Sequence, residues 1–333
     1  MNAFPERAAP RLPPIVVACL AATWLIWGST YLAIRFALVS FPPYIQMGSR
    51  FLVAGAVLAA WMRWVRGVPW PSPRQWAHAF VIGGLLLAGG MGSVAIAEQT
   101  VGSGLVVVFI AINPLLIVLL NLFWRVTPGR MEVIGIGLGL AGVVLLTRGY
   151  GFQASPAGFR AVAVGCVCWC LGSVLSQRRF PLAAGAMGFA SEMLAGGVVL
   201  MALAAVAGER WHWPPQPLAV EAWAYLVVFG SLLAFNAYMV LLARTPAGLA
   251  ASYTFVNPVI ALLLGIVFGS ESVTFQEWAA TGVILAGVIL LLAGPCPRDL
   301  VPLGRRPDHR ITVSPTETID GIQSSSDLSC DGG

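Results

Sequence analysis

The sequence predicts an all-α integral membrane protein of ten transmembrane helices, arranged as two inverted-topology repeats of five helices. Three observations carry this prediction: the composition, an internal repeat and the placement of arginine. Of the 333 residues, 58% are hydrophobic and 10% are charged, whereas about a quarter of the residues of a soluble domain are charged. A chain this apolar belongs in a lipid bilayer.

The internal repeat relates residues 103–124 to residues 247–268 at a constant offset of 144 positions, without a gap. Identical pairs in this register are Gly104/Gly248, Leu105/Leu249, Asn113/Asn257 and Pro114/Pro258. Gly28-Ser29 falls on Gly172-Ser173 at the same spacing. A fixed period indicates duplication of a structural unit. Each copy is an uncharged run of about 20 residues, enough for a helix to cross a bilayer core of about 30 Å.

Ten apolar runs follow one another along the chain, separated by turns rich in proline and glycine. They lie at about 15–39, 44–64, 76–98, 101–123, 131–147, 157–177, 184–207, 222–242, 247–269 and 277–294. We therefore predict a first five-helix repeat at 15–148, called the first half, and a second at 156–294, called the second half. Residues 295–333 are polar and lack periodicity, and we expect a disordered cytoplasmic tail there.

The basic residues, all of them arginine, predict the orientation of the helices. With the N-terminus inside, eleven arginines fall in cytoplasmic segments near the membrane and three, Arg148, Arg160 and Arg210, fall outside. Because short cytoplasmic loops carry the excess of positive charge, both termini are predicted to be cytoplasmic. An odd number of helices in each half then inverts the second half relative to the first. Many secondary carriers have this architecture, with the substrate bound near the midplane between the repeats.

Four motifs resemble the EamA-type branch of the drug/metabolite transporter superfamily. They are Trp27-Gly28-Ser29-Thr30, Ser49-Arg50-Phe51, Ala97-Glu98-Gln99 leading into Ser103-Gly104-Leu105, and the stretch from Tyr253 to Ala261, YTFVNPVIA. The resemblance covers about residues 15–294. It implies ten helices, a central cavity and alternating access, commonly with export of small metabolites, amino acids or toxic compounds across the inner membrane. Two positions depart from the family pattern: Asn113, where many relatives lack asparagine, and Glu192, where a neutral residue is more usual.

The paired Asn-Pro motifs have a physical interpretation of their own. Proline removes a backbone donor, so Pro114 and Pro258 are expected to kink their helices, and Asn113 and Asn257 could bond the freed groups. This is either a paired hinge or a static kink. The residues expected to line the cavity or to act as hinges are Trp27, Ser29, Asn113, Pro114, Asn236, Tyr253, Asn257 and Pro258. Asn236 is expected to face protein, because polar groups on an apolar helix avoid lipid.

Arg50, Glu98 and Glu192 are ionisable residues within predicted helices, and each needs a structural or functional role, since charge within a bilayer is costly. Arg50 is expected to pair with Glu98, or with a loop carbonyl, near an outer gate; a purely structural bond is the alternative. Glu192 could carry a proton and couple transport to a proton gradient. It could equally be neutral and hydrogen-bonded, or face a wet cavity.

The sequence disfavours other classes of function. Its only histidines are His78, His212 and His309, and no aspartate lies within a predicted helix, so we expect neither an enzyme nor a metal site or cofactor. The loop arginines indicate topology and not nucleic-acid binding. The expected partners are a small-molecule substrate, membrane lipid and, if coupling occurs, protons. Gly135 and Gly139 suit close helix packing or a dimer face, leaving monomer and homodimer open. A membrane scaffold or receptor that transports nothing remains the alternative.

Overall fold

The computed structural model describes residues 13–125, 129–147, 155–211, 213–244, 253–268 and 273–293, and within these ranges all the regular secondary structure is helical. The helices of the first half are α1 (Pro14–Ala37), α2 (Pro43–Ala60), α3 (Pro73–Gly83), α4 (Gly92–Ala97), α5 (Ser103–Ile110), α6 (Asn113–Leu122) and α7 (Arg130–Thr147). Those of the second half are α8 (Pro156–Arg178), α9 (Ala186–Val206), α10 (Pro217–Tyr225), α11 (Ala234–Arg244), α12 (Tyr253–Phe268) and α13 (Phe275–Ala293).

Proline and serine define where many of these helices begin. Six of them, α1, α2, α3, α6, α8 and α10, carry proline in the first turn, where a missing backbone N–H costs nothing. Ser72 caps α3 through a capping box with Gln75. Ser155 caps α8 by accepting from the backbone N–H of Gly158. These local signals fix the helix starts that the sequence predicts to within a few residues.

The helices confirm an integral membrane protein. Six helical rods in the described part of the chain are long and apolar enough to cross a membrane. They run over Pro14–Ala37, Pro43–Val65, Pro73–Ala97, Pro156–Ser176, Ala186–Val206 and Pro217–Tyr238. The other four predicted apolar runs also fall on helical segments. The predicted tail at 295–333 lies outside the described residues. The described residues all belong to one compact unit.

Two of the rods contain a π-helical segment in the middle, which the sequence does not predict. Gly84–Met91 joins α3 to α4, and Leu226–Leu233 joins α10 to α11. The two segments begin 142 residues apart, close to the repeat offset, so they occupy corresponding places in the two halves. A π segment widens the helix and shifts the face that later residues present, and such segments are frequent at functional sites.

The two Asn-Pro copies differ in the structure. In the first half, the predicted single helix at 101–123 is interrupted at Ala111 and Ile112, and α6 restarts at Asn113 with proline in its first turn. In the second half, α12 runs as one helix from Tyr253 past Pro258. The residues preceding Tyr253 in the predicted run, 247–252, are outside the described part of the chain.

The halves are interlocked, because the first helix of each packs mainly on the other half. α1 lies against α10, α11 and α12, and α8 lies against the first π segment, α4 and α6. The large core cluster accordingly combines both halves; it includes Ile34, Phe51 and Phe109 with Met193 and Leu226. Residues on α1, α2, α11 and α12 are thereby brought to one central region.

Candidate functional site

Four aromatic side chains from three helices meet in the centre of the protein, and we call them the aromatic cluster: Trp27, Phe235, Tyr238 and Tyr253. The ring of Trp27 lies 5.2 Å from Phe235, 5.3 Å from Tyr238 and 4.6 Å from Tyr253, centroid to centroid. Tyr238 and Tyr253 are 5.7 Å apart. These separations are within the usual range for interacting rings. The first half contributes Trp27 and the second half the other three.

Trp27 is held by the π segment of the second half. Its indole Nε1 donates to the backbone oxygen of Gly230 at 3.1 Å. On its own helix, the backbone oxygen of Trp27 accepts from the Thr30 hydroxyl at 2.7 Å. The indole N–H therefore has a partner, and the ring plane is free to form one wall of the aromatic cluster.

Arg50 lies beside the same π segment and is 2% exposed. Its Nε donates to the Ser231 hydroxyl at 2.9 Å, Nη1 lies 3.8 Å from the Met47 sulfur, and the guanidinium carbon lies 4.9 Å from the centre of the Phe51 ring. A Cβ on Gly230 would come within 3.1 Å of Nη2, so glycine makes room for the cation. The Arg50 side chain thus reaches across to the second half, and its expected pairing with Glu98 or a loop carbonyl stays a prediction.

Tyr31 is a further polar residue near Arg50 and Glu98, and sequence reasoning missed it. Its hydroxyl is close enough to Glu98 and to Arg50 to interact electrostatically with both. Tyr253 interacts in the same way with Tyr31, which links this group to the aromatic cluster. Glu98 itself is 4% exposed and directly follows α4. The available signal was spacing, because Tyr31 lies one helical turn after Trp27 and shares its face of α1.

Asn257 joins α12 to α1. With its amide nitrogen turned toward acceptors, it donates to the backbone oxygens of Trp24 at 3.1 Å and Tyr253 at 3.0 Å. Close approach of the two helices depends on Gly28, because a Cβ there would come within 2.8 Å of the Ile260 side chain. Asn257 therefore holds α12 against α1 next to the Trp27–Tyr253 contact.

Asn113, the counterpart of Asn257, starts α6 and is also buried. Its backbone oxygen accepts from the Cys170 thiol at 3.4 Å. Its side-chain oxygen has no hydrogen-bond donor among the described residues. Asn113 thus lies at a contact between the halves, but on the α6–α8 side and apart from the aromatic cluster. Pro114 follows it in the first turn of α6, and Pro258 lies within α12.

Asn236 does not face protein as expected. It is exposed, and its amide donates to the backbone oxygen of Leu232 on its own helix at 2.5 Å. The preceding π segment changes the register of α11, which turns Tyr238 into the aromatic cluster and Asn236 outward. Bonding to its own helix satisfies one donor of Asn236 without a partner helix.

Glu192 is 5% exposed on α9. Its backbone oxygen would lie 2.7 Å from a Cβ on Gly83, so α3 and α9 touch backbone to backbone at this level. In the part of the chain that the structure describes, its carboxyl pairs with no cation. The structure does not bring Glu192 together with Arg50 and Glu98.

Comparison with known proteins decides the family. The sequence profile of the EamA-like transporter family matches the chain twice, at residues 13–148 and 157–293. The chain belongs to the EamA-like transporter family. It is 41% identical over 276 residues to the uncharacterized inner membrane transporter YedA of Escherichia coli K12, covering 83% of this chain and 90% of that one.

More distant relatives have similar names. An uncharacterized transporter of Synechocystis, sll0355, is 25% identical over 82% of this chain and 88% of its own length. Protein PecM of Dickeya dadantii is 24% identical over 80% of this chain and 88% of its own. One crystal structure superposes with a TM-score of 0.58 at 26% identity, covering 83% of this chain and 95% of the other. This EamA-family protein is a membrane transporter.

At one end of the EamA-family fold, the two halves are joined by hydrogen bonds that the sequence did not reveal. The carboxylate of Glu209 accepts from the backbone N–H groups of Tyr44 at 3.1 Å and Ile45 at 2.9 Å. It thereby caps the N-terminus of α2 from the other half, where the helix dipole favours negative charge. Nearby, the Ser40 hydroxyl accepts from the backbone N–H of Gln216 at 3.0 Å. We call this set the Glu209 latch: Ser40, Tyr44, Ile45, Glu209 and Gln216.

At the opposite end, the described bonds between the halves involve exposed side chains. His78 on α3 lies 2.9 Å from the backbone oxygen of Pro181, and Arg178 donates to the side-chain oxygen of Asn121 at 2.9 Å.

Proposed function

We propose that this EamA-family protein is a secondary transporter that exports small metabolites, amino acids or drug-like compounds across the inner membrane by alternating access. The proposed architecture has ten membrane-spanning helices in two inverted five-helix repeats, with both termini cytoplasmic. The observation that carries the proposal is that Trp27 and Arg50 of the first half are bonded to Gly230 and Ser231 of the second. A site built from both halves changes when the halves move against each other.

The central region has the chemistry of a small-molecule site. It combines the apolar ring faces of the aromatic cluster with the hydroxyls of Tyr31, Tyr238 and Tyr253 and the buried Arg50 guanidinium. Ligand sites in proteins commonly pair apolar walls with a few placed polar groups. The direction of transport is inferred from the family resemblance.

The test is uptake of a pooled metabolite mixture by proteoliposomes of the pure protein, read by mass spectrometry with and without a pH gradient. We expect at least one compound to accumulate above the level in protein-free liposomes. Trp27→Ala should reduce that accumulation, whereas Trp64→Ala, at an exposed position far from the cluster, should not. No accumulation of any compound by folded protein would contradict the proposal and favour a scaffold or receptor.

Proton coupling through Glu192 is the second part of the proposal. It is supported by burial of the carboxyl at a place where the described residues offer no cationic partner. We expect Glu192→Gln to abolish the dependence of uptake on the pH gradient, with exchange of the same substrate retained. Gradient-driven uptake that persists unchanged in Glu192→Gln would eliminate this role.

A further inference from the structure

A cavity on the side of the bundle is lined by residues of α1, α10 and α12, and none of its lining residues belongs to the aromatic cluster. We call it the lateral groove. It encloses about 380 Å³, and its apolar walls include Ala33, Phe36, Ala222 and Leu264. We call the part lined by the partly buried Ser29 and Tyr225 its deep end, and the part at the exposed Glu221 its rim. Its walls belong to membrane-spanning helices, so the medium it opens to is lipid.

The deep end of the groove contains two hydroxyls, but neither has a proton left for a ligand. The Ser29 hydroxyl donates to the backbone oxygen of Ile26 at 2.8 Å. The Tyr225 hydroxyl lies 2.6 Å from the Ser29 oxygen. Because the Ser29 proton is already used, Tyr225 is the donor in that bond. The groove therefore has no free hydroxyl donor at its deep end, which suits a hydrocarbon chain better than a polar solute.

The length of the groove suits one leaflet of a bilayer. On α10, Tyr225 follows Leu218 by seven residues, about 10 Å along the helix axis. One leaflet contributes about 15 Å of hydrocarbon. An acyl chain entering beside Leu218 and Glu221 would therefore reach most of the way to the midplane.

The rim of the groove carries an unneutralised charge. Glu221 lies in the second turn of α10 and is exposed. Within the described ranges its carboxylate makes no ion pair. An occupant whose chain lies in the groove would place its headgroup at this carboxylate, and a cationic donor would complement it. An ammonium group supplies three N–H donors, whereas a glycerol headgroup has no positive charge.

We propose that the lateral groove binds a phospholipid with an ethanolamine headgroup, with one acyl chain along the groove and the ammonium on Glu221. Lipid tails gain little from exchanging one apolar environment for another, so the headgroup decides which lipid is bound. The choline headgroup is also cationic but has no N–H to donate, so phosphatidylcholine should bind more weakly. Phosphatidylglycerol lacks the cation altogether.

The test measures which lipid stays with the protein. The full chain is reconstituted in equal amounts of phosphatidylethanolamine, phosphatidylglycerol and phosphatidylcholine with matched acyl chains, extracted in mild detergent, and its bound lipid quantified by mass spectrometry. An exposed ion pair predicts a roughly two- to fivefold enrichment of the ethanolamine lipid. Equal retention of the three lipids, or enrichment of phosphatidylglycerol, would overturn the proposal.

Two pairs of variants locate the site. Glu221→Gln should abolish the enrichment, whereas Glu132→Gln, on α7 and away from the groove, should keep it. Leu264→Trp should fill the groove and lower the total retained lipid. Leu263→Trp is the matched control, since Leu263 is 50% exposed and does not line the groove. Enrichment that survives Glu221→Gln, or equal lipid loss in the two tryptophan variants, would contradict the site. Monodisperse size-exclusion profiles establish that each variant is folded.

Discussion

Single side chains of one half form hydrogen bonds with polar groups of the other half. Arg50 is the clearest case, because a buried cation within the membrane is held by the hydroxyl of Ser231, 181 residues away in sequence. The guanidinium has five N–H donors in a fixed plane, so its orientation depends on such acceptors. Glu209 is the converse case, an anion that satisfies backbone donors of α2.

Ser231→Ala should destabilise the protein, because it leaves the Arg50 Nε without its acceptor. Hydrogen bonds to charged groups contribute about 1.5–3 kcal/mol, so the melting temperature in detergent should fall clearly. Ser176→Ala is the control, because among the described residues that hydroxyl bonds to the Ser173 backbone oxygen of its own helix. Equal melting temperatures for the two variants would show that the Arg50–Ser231 bond contributes little.

Glu209→Ala should also lower stability, by about 0.5–2 kcal/mol, the usual cost of losing a helix N-cap. Differential scanning fluorimetry of the purified variant measures the change. Arg210→Ala removes a neighbouring exposed charge that takes no part in the Glu209 latch and should melt close to the unmodified protein. If the two variants melt alike, then the carboxylate does not stabilise the N-terminus of α2.

At the scale of elements, glycine and π geometry determine how closely the helices approach. A Cβ on Gly83 would lie 2.7 Å from the backbone oxygen of Glu192 and 2.8 Å from the backbone nitrogen of Gly196. Between α7 and α13, a Cβ on Gly287 would come within 2.7 Å of backbone atoms of Gly135 and Gly139. The Gly135–Gly139 pair therefore packs α7 against α13 inside the protein.

Gly83→Ala should destabilise the α3–α9 contact, because backbone atoms cannot move aside as a flexible side chain can. Overpacking of this kind costs about 1–3 kcal/mol. The adjacent position supplies the control: a Cβ on Gly84 meets nothing within 4 Å, so Gly84→Ala should be nearly neutral. Thermal unfolding of the two variants in the same detergent compares them, and equal stability would contradict the observed helix spacing.

At the scale of the whole molecule, the two interlocked halves are bonded to each other at one end by the Glu209 latch. The Glu209 latch joins the start of α2 to the segment between α9 and α10, and the proposed alternating access would require this end to open. The aromatic cluster lies deeper, where α1, α11 and α12 meet. Motion of the halves would therefore act on the latch and on the cluster together.

Locking the latch should stop transport. Ser40→Cys combined with Gln216→Cys introduces thiols at two residues whose Ser40 hydroxyl and Gln216 backbone nitrogen now lie 3.0 Å apart. That bond keeps the two Cα atoms within about 7 Å of each other, the reach of a disulfide. We expect uptake of a substrate found in the proteoliposome screen to be lost after oxidation and restored by a thiol reductant. The two single variants are the controls. Undiminished uptake by fully cross-linked protein would show that this end does not open.

The sequence by itself determined the membrane class, the positions of the helical segments and the family. These properties depend on the lengths of apolar runs, on proline and glycine at their ends, and on a duplicated motif, all of which are local or periodic in the chain. The predicted helix at 101–123 differed only by its break beside Pro114. The inverted topology and the hinge roles of Asn113 and Asn257 stay predictions.

Only the tertiary structure decided which polar groups meet. Arg50 bonds to Ser231, and Glu209 reaches Tyr44 from 165 residues away, separations at which sequence periodicity carries no information. The π segment before α11 turned Asn236 outward and Tyr238 inward, because one altered turn rotates everything after it. Helices follow from the local pattern of apolar residues, whereas the site depends on how the helices are rotated and packed.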